Sequence, residues 1–291
     1  MNLPPRPWPT ALVDRLEPLV ARVLAPNPGP YTYTGTQTYL VGDAQGLAVI
    51  DPGPDDEAHL EALLAAIGDA PVLAITCTHT HRDHSPAAAP LARRTGAPII
   101  GCAQLALEDD GAERIDAAFD RAYRPDRVLA DGEALSGPAF TLRALATPGH
   151  TSNHLCLALE ETGALFTGDH VMGWSTSVVV PPDGDMADYM ASLDRLHARE
   201  DRVYYPAHGP QIDNPRQLVR GMIGHRRQRE RQILRLLGEA AADIPALVAA
   251  MYKGLDPRLL GAAGRSVLAH LIDLERRGAV STSAGQWQLS A

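Results

Sequence analysis

A run of four side chains that can bind metal constrains this sequence more than any other feature. The run, THTHRDH at residues 78–84, contains His79, His81, Asp83 and His84. It follows residues 72–75, a short apolar segment typical of a buried strand. Because alternate side chains of an extended chain share one face, His79 and His81 are predicted to converge on one point. Imidazole and carboxylate groups are zinc ligands, so the four residues favour two adjacent metal sites.

Three later side chains of the same ligand types stand at the ends of predicted strands. They are His150 in TPGHT, Asp169 in TGD and His208 in YPAHG. Each lies near glycine or proline in a predicted loop, and loops on a rigid scaffold commonly carry functional groups. The sequence therefore offers seven candidate ligands for one site.

Strands and helices alternate up to about residue 217, which predicts an α/β fold with two sheets between outer helices. Extended apolar runs predict strands at 39–41, 47–50, 72–75, 97–100, 140–146, 155–159, 164–166 and 203–205. Helical spacing of apolar residues predicts helices at 56–67, 86–95 and 186–197. Ser85 is the predicted N-cap of the second helix.

The remainder of the chain is predicted to be mainly helical. Helices are expected at 218–237, 244–252 and 265–277, followed by short extended pieces at 278–280 and 286–289. Three helices and a small hairpin are the layout of a winged helix, and the pattern also suits another small helical cap. We therefore predict two domains, 1–217 and 218–291.

Charge is unevenly distributed between these two predicted domains. The net charge is −9, yet residues 218–291 carry 11 Arg or Lys and only 6 Asp or Glu. The acidic body disfavours nucleic acid as its partner, whereas the basic tail could engage an anionic chain. Residues 225–231, with a histidine and four arginines, fit either a phosphate-binding helix face or a solvated one.

The cysteines and the N-terminus indicate the cellular compartment in which the protein is expected. Cys77, Cys102 and Cys156 are too few and too scattered for a disulfide framework, so we expect reduced packing residues. The N-terminus does not read as a secretory signal, and no apolar stretch is long enough for a bilayer span. These features predict a cytoplasmic protein with no membrane partner, and they leave its oligomeric state open.

The His-x-His-x-Asp-His run and the later Gly-His, Gly-Asp and His-Gly elements resemble the metallo-β-lactamase superfamily over roughly residues 20–215. The tail resembles the winged-helix-like extension of the lactamase-B-like protein 2 subfamily. The resemblance implies an αββα sandwich with two zinc ions, iron or manganese being alternatives. It implies His79, His81 and His150 for the first metal and Asp83, His84 and His208 for the second. Asp169 would bridge both, and this carboxylate points toward the glyoxalase II and nuclease branches.

The resemblance also implies a zinc-dependent hydrolase. A metal-bridging hydroxide would attack the carbonyl of a small ester, thioester, lactone or β-lactam-like substrate. The expected catalytic residues are Asp83, as a group that orients the nucleophile or moves its proton, and Asp169. A single-strand endoribonuclease whose basic C-terminal domain binds RNA is the alternative. In a third hypothesis the tail is a nucleic-acid or dimerisation module and catalysis is incidental.

Several other residues fit more than one role. His154, His170 and Trp174 are predicted to contact the substrate, although each also fits a packing or hydrogen-bonding role. Asp51 could support the ligand loop or simply be a turn residue at the entry to a helix. Arg82 could contact an anionic substrate or brace its loop. No functional role is predicted for His59, His197 or His270.

Overall fold

The computed structural model describes residues 8–105 and 118–290. The chain forms two compact units, described here separately. The first, unit 1, comprises Met1–Thr147, Asn153–Thr176 and Glu200–Pro215; the second, unit 2, comprises Pro148–Ser152, Ser177–Arg199 and Arg216–Ala291. The domain boundary between residues 217 and 218 stays a prediction.

The first sheet of unit 1 has five strands in sequential order. They are β1 (Val13–Glu17), β2 (Val20–Leu24), β3 (Gln37–Asp43), β4 (Gly46–Ile50) and β5 (Val72–Thr76). Neighbours are antiparallel except β4 and β5, which are parallel because helix α1 (Glu57–Ile67) carries the chain back between them. Asp56 begins this helix by accepting a hydrogen bond from the His59 amide, as an N-cap does.

The second sheet of unit 1 repeats this plan, with five strands in sequential order. Helix α2 (Ala88–Thr95) and the short parallel pair β6 (Ile100–Gly101) and β7 (Arg127–Val128) precede it. Its strands are β8 (Ala134–Ser136), β9 (Thr141–Ala146), β10 (Leu155–Leu159), β11 (Ala164–Gly168) and β12 (Val203–Pro206), in the spatial order β12-β11-β10-β9-β8. Strands β11 and β12 are parallel and the other neighbours antiparallel.

The core of unit 1 lies between the two sheets. Val49 and Ile75 from the first sheet join Leu157 and Phe166 from the second in one buried cluster. Burial of each such side chain contributes about 1.5–3 kcal/mol. This arrangement of two mixed sheets and outer helices confirms the αββα sandwich.

Several predicted elements differ from the observed ones at their boundaries, and four strands were missed: β1, β2, β7 and β8. Strands β1 and β2 were not predicted, because they carry charged residues that weaken the apolar pattern. The prediction that Ser85 caps α2 was wrong: α2 begins at Ala88, and the Ser85 hydroxyl donates to Asp120 at 2.9 Å. The strand expected at 97–100 is β6 (Ile100–Gly101), since only Ile99 forms a bridge before it.

Unit 2 contains four helices and a hairpin. They are α3 (Met186–His197), α4 (Pro215–Glu239), α5 (Ile244–Met251), α6 (Leu260–Arg276), β13 (Val280–Ser283) and β14 (Gln286–Leu289), with a 3₁₀ turn at Pro257–Leu259. Both α4 and α6 begin earlier than the predicted 218 and 265. Ile233, Leu247, Leu271 and Trp287 pack in one core, so the last three helices and the hairpin form the predicted winged helix.

Two further expectations concern the chain as a whole. The three cysteines are buried and unpaired with one another, as expected of packing residues. Among the described residues, every helix is too short or too polar to span a bilayer.

His270 of α6 makes the stability of unit 2 depend on pH. Its ring is buried, and burial together with the positive charges of Arg226 and His225 lowers its pKa to about 3. Below pH 6.5 the unfolded chain takes up a proton that the folded unit excludes. The free energy of unfolding should therefore fall by about 1.4 kcal/mol for each pH unit below 6.5, until the folded pKa is approached.

We expect urea denaturation of the His270→Leu variant to lose this part of the pH dependence. Between pH 6.5 and pH 5, the free energy of unfolding of the wild type should fall by about 2 kcal/mol more than that of the variant. Equal losses in both proteins would show that His270 does not couple folding to pH.

Candidate metal centre

Six of the seven predicted ligands lie in unit 1, on loops that follow strands. His79, His81, Asp83 and His84 follow β5, Asp169 follows β11, and His208 follows β12. Each loop leaves a largely buried strand and carries a polar side chain at its start. Folding of the sandwich therefore brings together residues that are far apart in the sequence.

Four ligand atoms, from Asp83, His84, Asp169 and His208, form one group of this cluster. The His208 Nε2 atom lies 3.1 Å from Asp83 Oδ2 and 3.2 Å from Asp169 Oδ1. The His84 Nε2 atom lies 3.3 Å and 3.6 Å from the same two oxygens. Four ligands placed tetrahedrally about 2.1 Å from an ion would stand roughly 3.4 Å apart. The donors and their spacing therefore fit a divalent cation.

The other group in unit 1 is built on His79 and His81. Their facing ring nitrogens, Nε2 of His79 and Nδ1 of His81, are 2.9 Å apart. These two residues and Asp169 each offer a ligand atom within 4.8 Å of the others. Asp169 thus stands near both groups, as a bridging carboxylate would.

His150 lies on the turn between β9 and β10, in the segment that belongs to unit 2. Its Nδ1 atom is 2.6 Å from the Val178 carbonyl oxygen and 3.3 Å from the Ser177 hydroxyl. Because a carbonyl can only accept, Nδ1 carries the hydrogen, and Nε2 is the ring nitrogen with the lone pair. The preceding Gly149 has φ +128°, and a Cβ there would lie 2.3 Å from the Tyr189 backbone. His150 stays a predicted ligand.

Asp51 supports the ligand loop directly. One carboxylate oxygen accepts from the Thr78 amide at 2.7 Å, and the other from the Thr78 hydroxyl at 2.8 Å. The second oxygen also lies 3.0 Å from Nδ1 of His84. Because a carboxylate accepts that hydrogen, Nε2 of His84 faces the cluster as a ligand atom. Of the two roles open to Asp51 in the sequence, the structure shows contact with a predicted ligand.

A second set of supporting residues lies on β3 and the loop before it, and sequence reasoning missed it. Gln37 donates to the Gly209 carbonyl at 2.5 Å, and the Tyr39 hydroxyl donates to Pro206 at 2.7 Å. These bonds hold both sides of the His208 loop. The Thr36 hydroxyl donates to Asp83 at 3.3 Å. The signal that could have found them is the polar run Thr36–Gln37–Thr38 in an otherwise apolar strand.

The acidic and imidazole groups of the cluster shift each other's protonation. Burial acts to raise the pKa of both Asp83 and Asp169, but the neighbouring His84 and His208 outweigh it and hold both values well below the usual range. Burial acts to lower the pKa of His208, yet the two carboxylates raise it to about 10. The carboxylates are therefore ionised at neutral pH, which suits cation binding, and a bound cation would take the place of the proton on His208.

The predicted substrate residues occupy varied surroundings in unit 1. His154 is buried, with Nδ1 2.9 Å from the Thr147 hydroxyl. His170 is buried with its ring 5.7 Å from that of His154. Trp174 is partly exposed and stacks on Tyr33 at 5.0 Å. The contact of these three residues with substrate stays a prediction.

Arg82 was open to two roles. Its side chain donates to the Phe119 carbonyl at 3.2 Å and so braces its own loop.

Family comparisons agree with this fold. Residues 31–208 match the metallo-beta-lactamase superfamily, and residues 244–287 match the beta-lactamase associated winged helix domain. The first match covers more than half of the chain. The chain therefore belongs to the metallo-β-lactamase superfamily, and it is a hydrolase of that superfamily with a C-terminal winged helix.

Two curated relatives extend this assignment. An atrochrysone carboxyl ACP thioesterase of Aspergillus fumigatus is 35% identical over 228 residues, which are 76% of this chain and 66% of that protein. The match thus spans just under two thirds of that relative's length. A beta-lactamase-like protein 2 homolog of Caenorhabditis elegans is 33% identical over 234 residues, 78% of this chain and 74% of that one.

Solved structures show the same architecture. A metallo-beta-lactamase family protein from Thermus thermophilus has a TM-score of 0.76 and 25% identity, covering 94% of this chain and all of that one. Another solved structure, in a di-iron-bound form, has a TM-score of 0.53 and 31% identity, covering 66% of this chain and 93% of that one.

Proposed function

We propose that this chain is a metal-dependent thioesterase, which hydrolyses the acyl thioester of a small substrate. The observation that carries the proposal is the cluster of ionised carboxylates and imidazoles spaced to hold cations. The relative named as a thioesterase, at 35% identity, supports a thioester among the ester, lactone and β-lactam-like carbonyls that the site could accept. The acidic first part of the chain also suits a small substrate better than a polyanion.

The proposed metal ligands are the seven residues identified from the sequence. His79, His81 and His150 would hold one ion, Asp83, His84 and His208 the other, and Asp169 both. Bound there, divalent metals would polarise the substrate carbonyl and lower the pKa of a water molecule. Zinc suits nitrogen and carboxylate ligands, and the di-iron-bound neighbour keeps iron as an alternative. Elemental analysis of the purified protein distinguishes zinc, iron and manganese.

The protein's own groups would bind the substrate and move its protons. Asp83 is the more exposed of the two central carboxylates, with 25% of its side chain accessible against 12% for Asp169. It is therefore placed to take a proton from the attacking water and return one to the leaving thiolate. Trp174, His154 and His170 are the residues proposed to line the substrate site.

We expect the metal-loaded protein to hydrolyse acyl thioesters, and His81→Ala to abolish this activity because one metal group loses a ligand. The measurement is a panel of acyl thioesters, matched oxygen esters, lactones, a β-lactam and 5′-labelled RNA. The exposed Arg93→Ala of α2 is the matched control, which should retain full activity. RNA cleavage that is lost in His81→Ala, without thioester turnover in the wild type, would contradict the proposal.

An RNA endonuclease is the second candidate, favoured by one surface of unit 2. Helix α4 exposes five arginines along its length: Arg216, Arg220, Arg227, Arg231 and Arg235. Binding of RNA phosphates by this surface would make affinity fall steeply with salt. Absence of RNA binding at low salt would exclude this candidate and the nucleic-acid role of the winged helix.

A further inference from the structure

Arg226 of α4 is a buried cation with an unusual environment. Only 4% of the residue is exposed, and none of the carboxylates in the described chain pairs with it. Burying an unpaired charge is costly, so buried arginines are usually paired with an acid. The surroundings add positive charge, because His225, Arg277 and Arg229 act together with Arg226 to lower the pKa of the nearby His270. Stability alone does not account for a guanidinium in this position.

The contacts of Arg226 join three parts of unit 2. One terminal nitrogen donates to the Ser177 carbonyl, and the other donates to the Ser266 hydroxyl of α6 at 3.2 Å. The guanidinium carbon lies 5.2 Å from the centre of the Tyr189 ring of α3, in a cation–π contact. The planar fork is therefore held in one orientation, with one donor directed at the backbone of Ser177.

The Ser177 backbone leads directly to His150. The Ser177 hydroxyl lies 3.3 Å from Nδ1 of His150, and the carbonyl of the next residue, Val178, lies 2.6 Å from the same atom. This segment thus fixes both the ring orientation and the tautomer, in which Nε2 carries the lone pair that a metal ligand needs. Arg226 holds the carbonyl at the start of this two-residue segment.

We infer that Arg226 is a positioning residue for His150, which places the His150 ring as a metal ligand through the Ser177–Val178 backbone. The inference rests on the proposed function, in which His150 binds one of two metals. It gives helix α4 a role in placing His150 that is independent of nucleic acid. Arg226 itself does not touch the metal or the substrate.

The test compares metal binding by Arg226→Gln with that by Arg229→Gln. Arg229 is three residues further along α4 and packs its guanidinium 4.4 Å over the Tyr252 ring, so its variant also loses a cation–π contact. Chelator competition followed by elemental analysis measures each metal, and thermal unfolding of the metal-free proteins measures folding. His150→Ala identifies the metal that depends on His150.

We expect Arg226→Gln to lower the affinity for that same metal about 10–100-fold, as loss of an outer contact to a metal ligand does. The affinity for the other metal should be unchanged. Arg229→Gln should retain both metals at wild-type affinity. The inference would be overturned if Arg226→Gln bound both metals with wild-type affinity, or if its affinity for both metals fell equally. Fewer than two metals in the wild type would instead overturn the proposed two-metal function, so the two failures are distinguishable.

Arg226→Lys keeps the test decisive if the glutamine variant does not fold. Lysine keeps the charge but cannot direct a rigid pair of donors at Ser177 and Ser266. We expect Arg226→Lys to lower the affinity for the His150-dependent metal severalfold, a smaller effect than that of Arg226→Gln. Wild-type affinity for that metal in the folded lysine variant would overturn the inference.

Discussion

Asp169→Asn is expected to reduce thioester turnover on the order of 10³-fold, because it removes the carboxylate charge that stands near both ligand groups. Asparagine has nearly the shape of aspartate and preserves the packing after β11. Its neutral oxygen cannot balance cations beside His84 and His208. Steady-state kinetics on a thioester, together with elemental analysis, would detect loss of both activity and metal.

A matched change elsewhere in unit 1 separates this effect from a general loss of stability. Asp126 accepts a hydrogen bond from the Ile99 amide at 2.8 Å, and an asparagine oxygen can accept the same bond. We therefore expect Asp126→Asn to retain both activity and metal content. Near-normal turnover by Asp169→Asn would rule out a catalytic function for the cluster around Asp169.

Asp51→Ala is expected to destabilise the metal-free protein by about 3–5 kcal/mol, as removal of one partner from a buried charged network does. The change deprives the Thr78 amide, the Thr78 hydroxyl and the His84 ring of their shared acceptor. The His84 ring would then be free to rotate, so affinity for the second metal should also fall. Urea denaturation measures the stability, and chelator competition measures the metal.

The N-cap of α1 provides the comparison for this prediction. Asp56 also accepts a backbone amide bond, but it lies at a helix end rather than within the cluster. Asp56→Ala should lower the free energy of unfolding by only about 1 kcal/mol and leave metal affinity unchanged. If Asp51→Ala were no more damaging than Asp56→Ala, the contacts of Asp51 would not stabilise the ligand loop.

Sequence reasoning predicted the sandwich and the main groups of ligand-type residues for the same physical reason. Buried strands such as β5 are continuous apolar runs, and polar residues directly after them, such as His79 and Asp169, lack a packing role. The winged helix was predicted from helical periodicity followed by short extended pieces. These features are local, so they can be found without knowledge of tertiary contacts.

The missed features depend on contacts between distant residues. Arg22 in β2 pairs with Asp14 at 2.8 Å, so a charged residue is tolerated where an apolar one would have predicted the strand. Ser85 has a favoured capping side chain, but its hydroxyl bonds Asp120 instead. Gln37 and Tyr39 support the loop of His208 from a distant strand. Tertiary partners override local preference in each case.

The order of the ligands along the chain has a consequence for biosynthesis. His79 is made early and His208 late, and both must be present before the cluster can close. A ribosome therefore releases most of unit 1 before this site can capture an ion. Metal acquisition by the group of Asp83, His84 and His208 should therefore follow translation of β12.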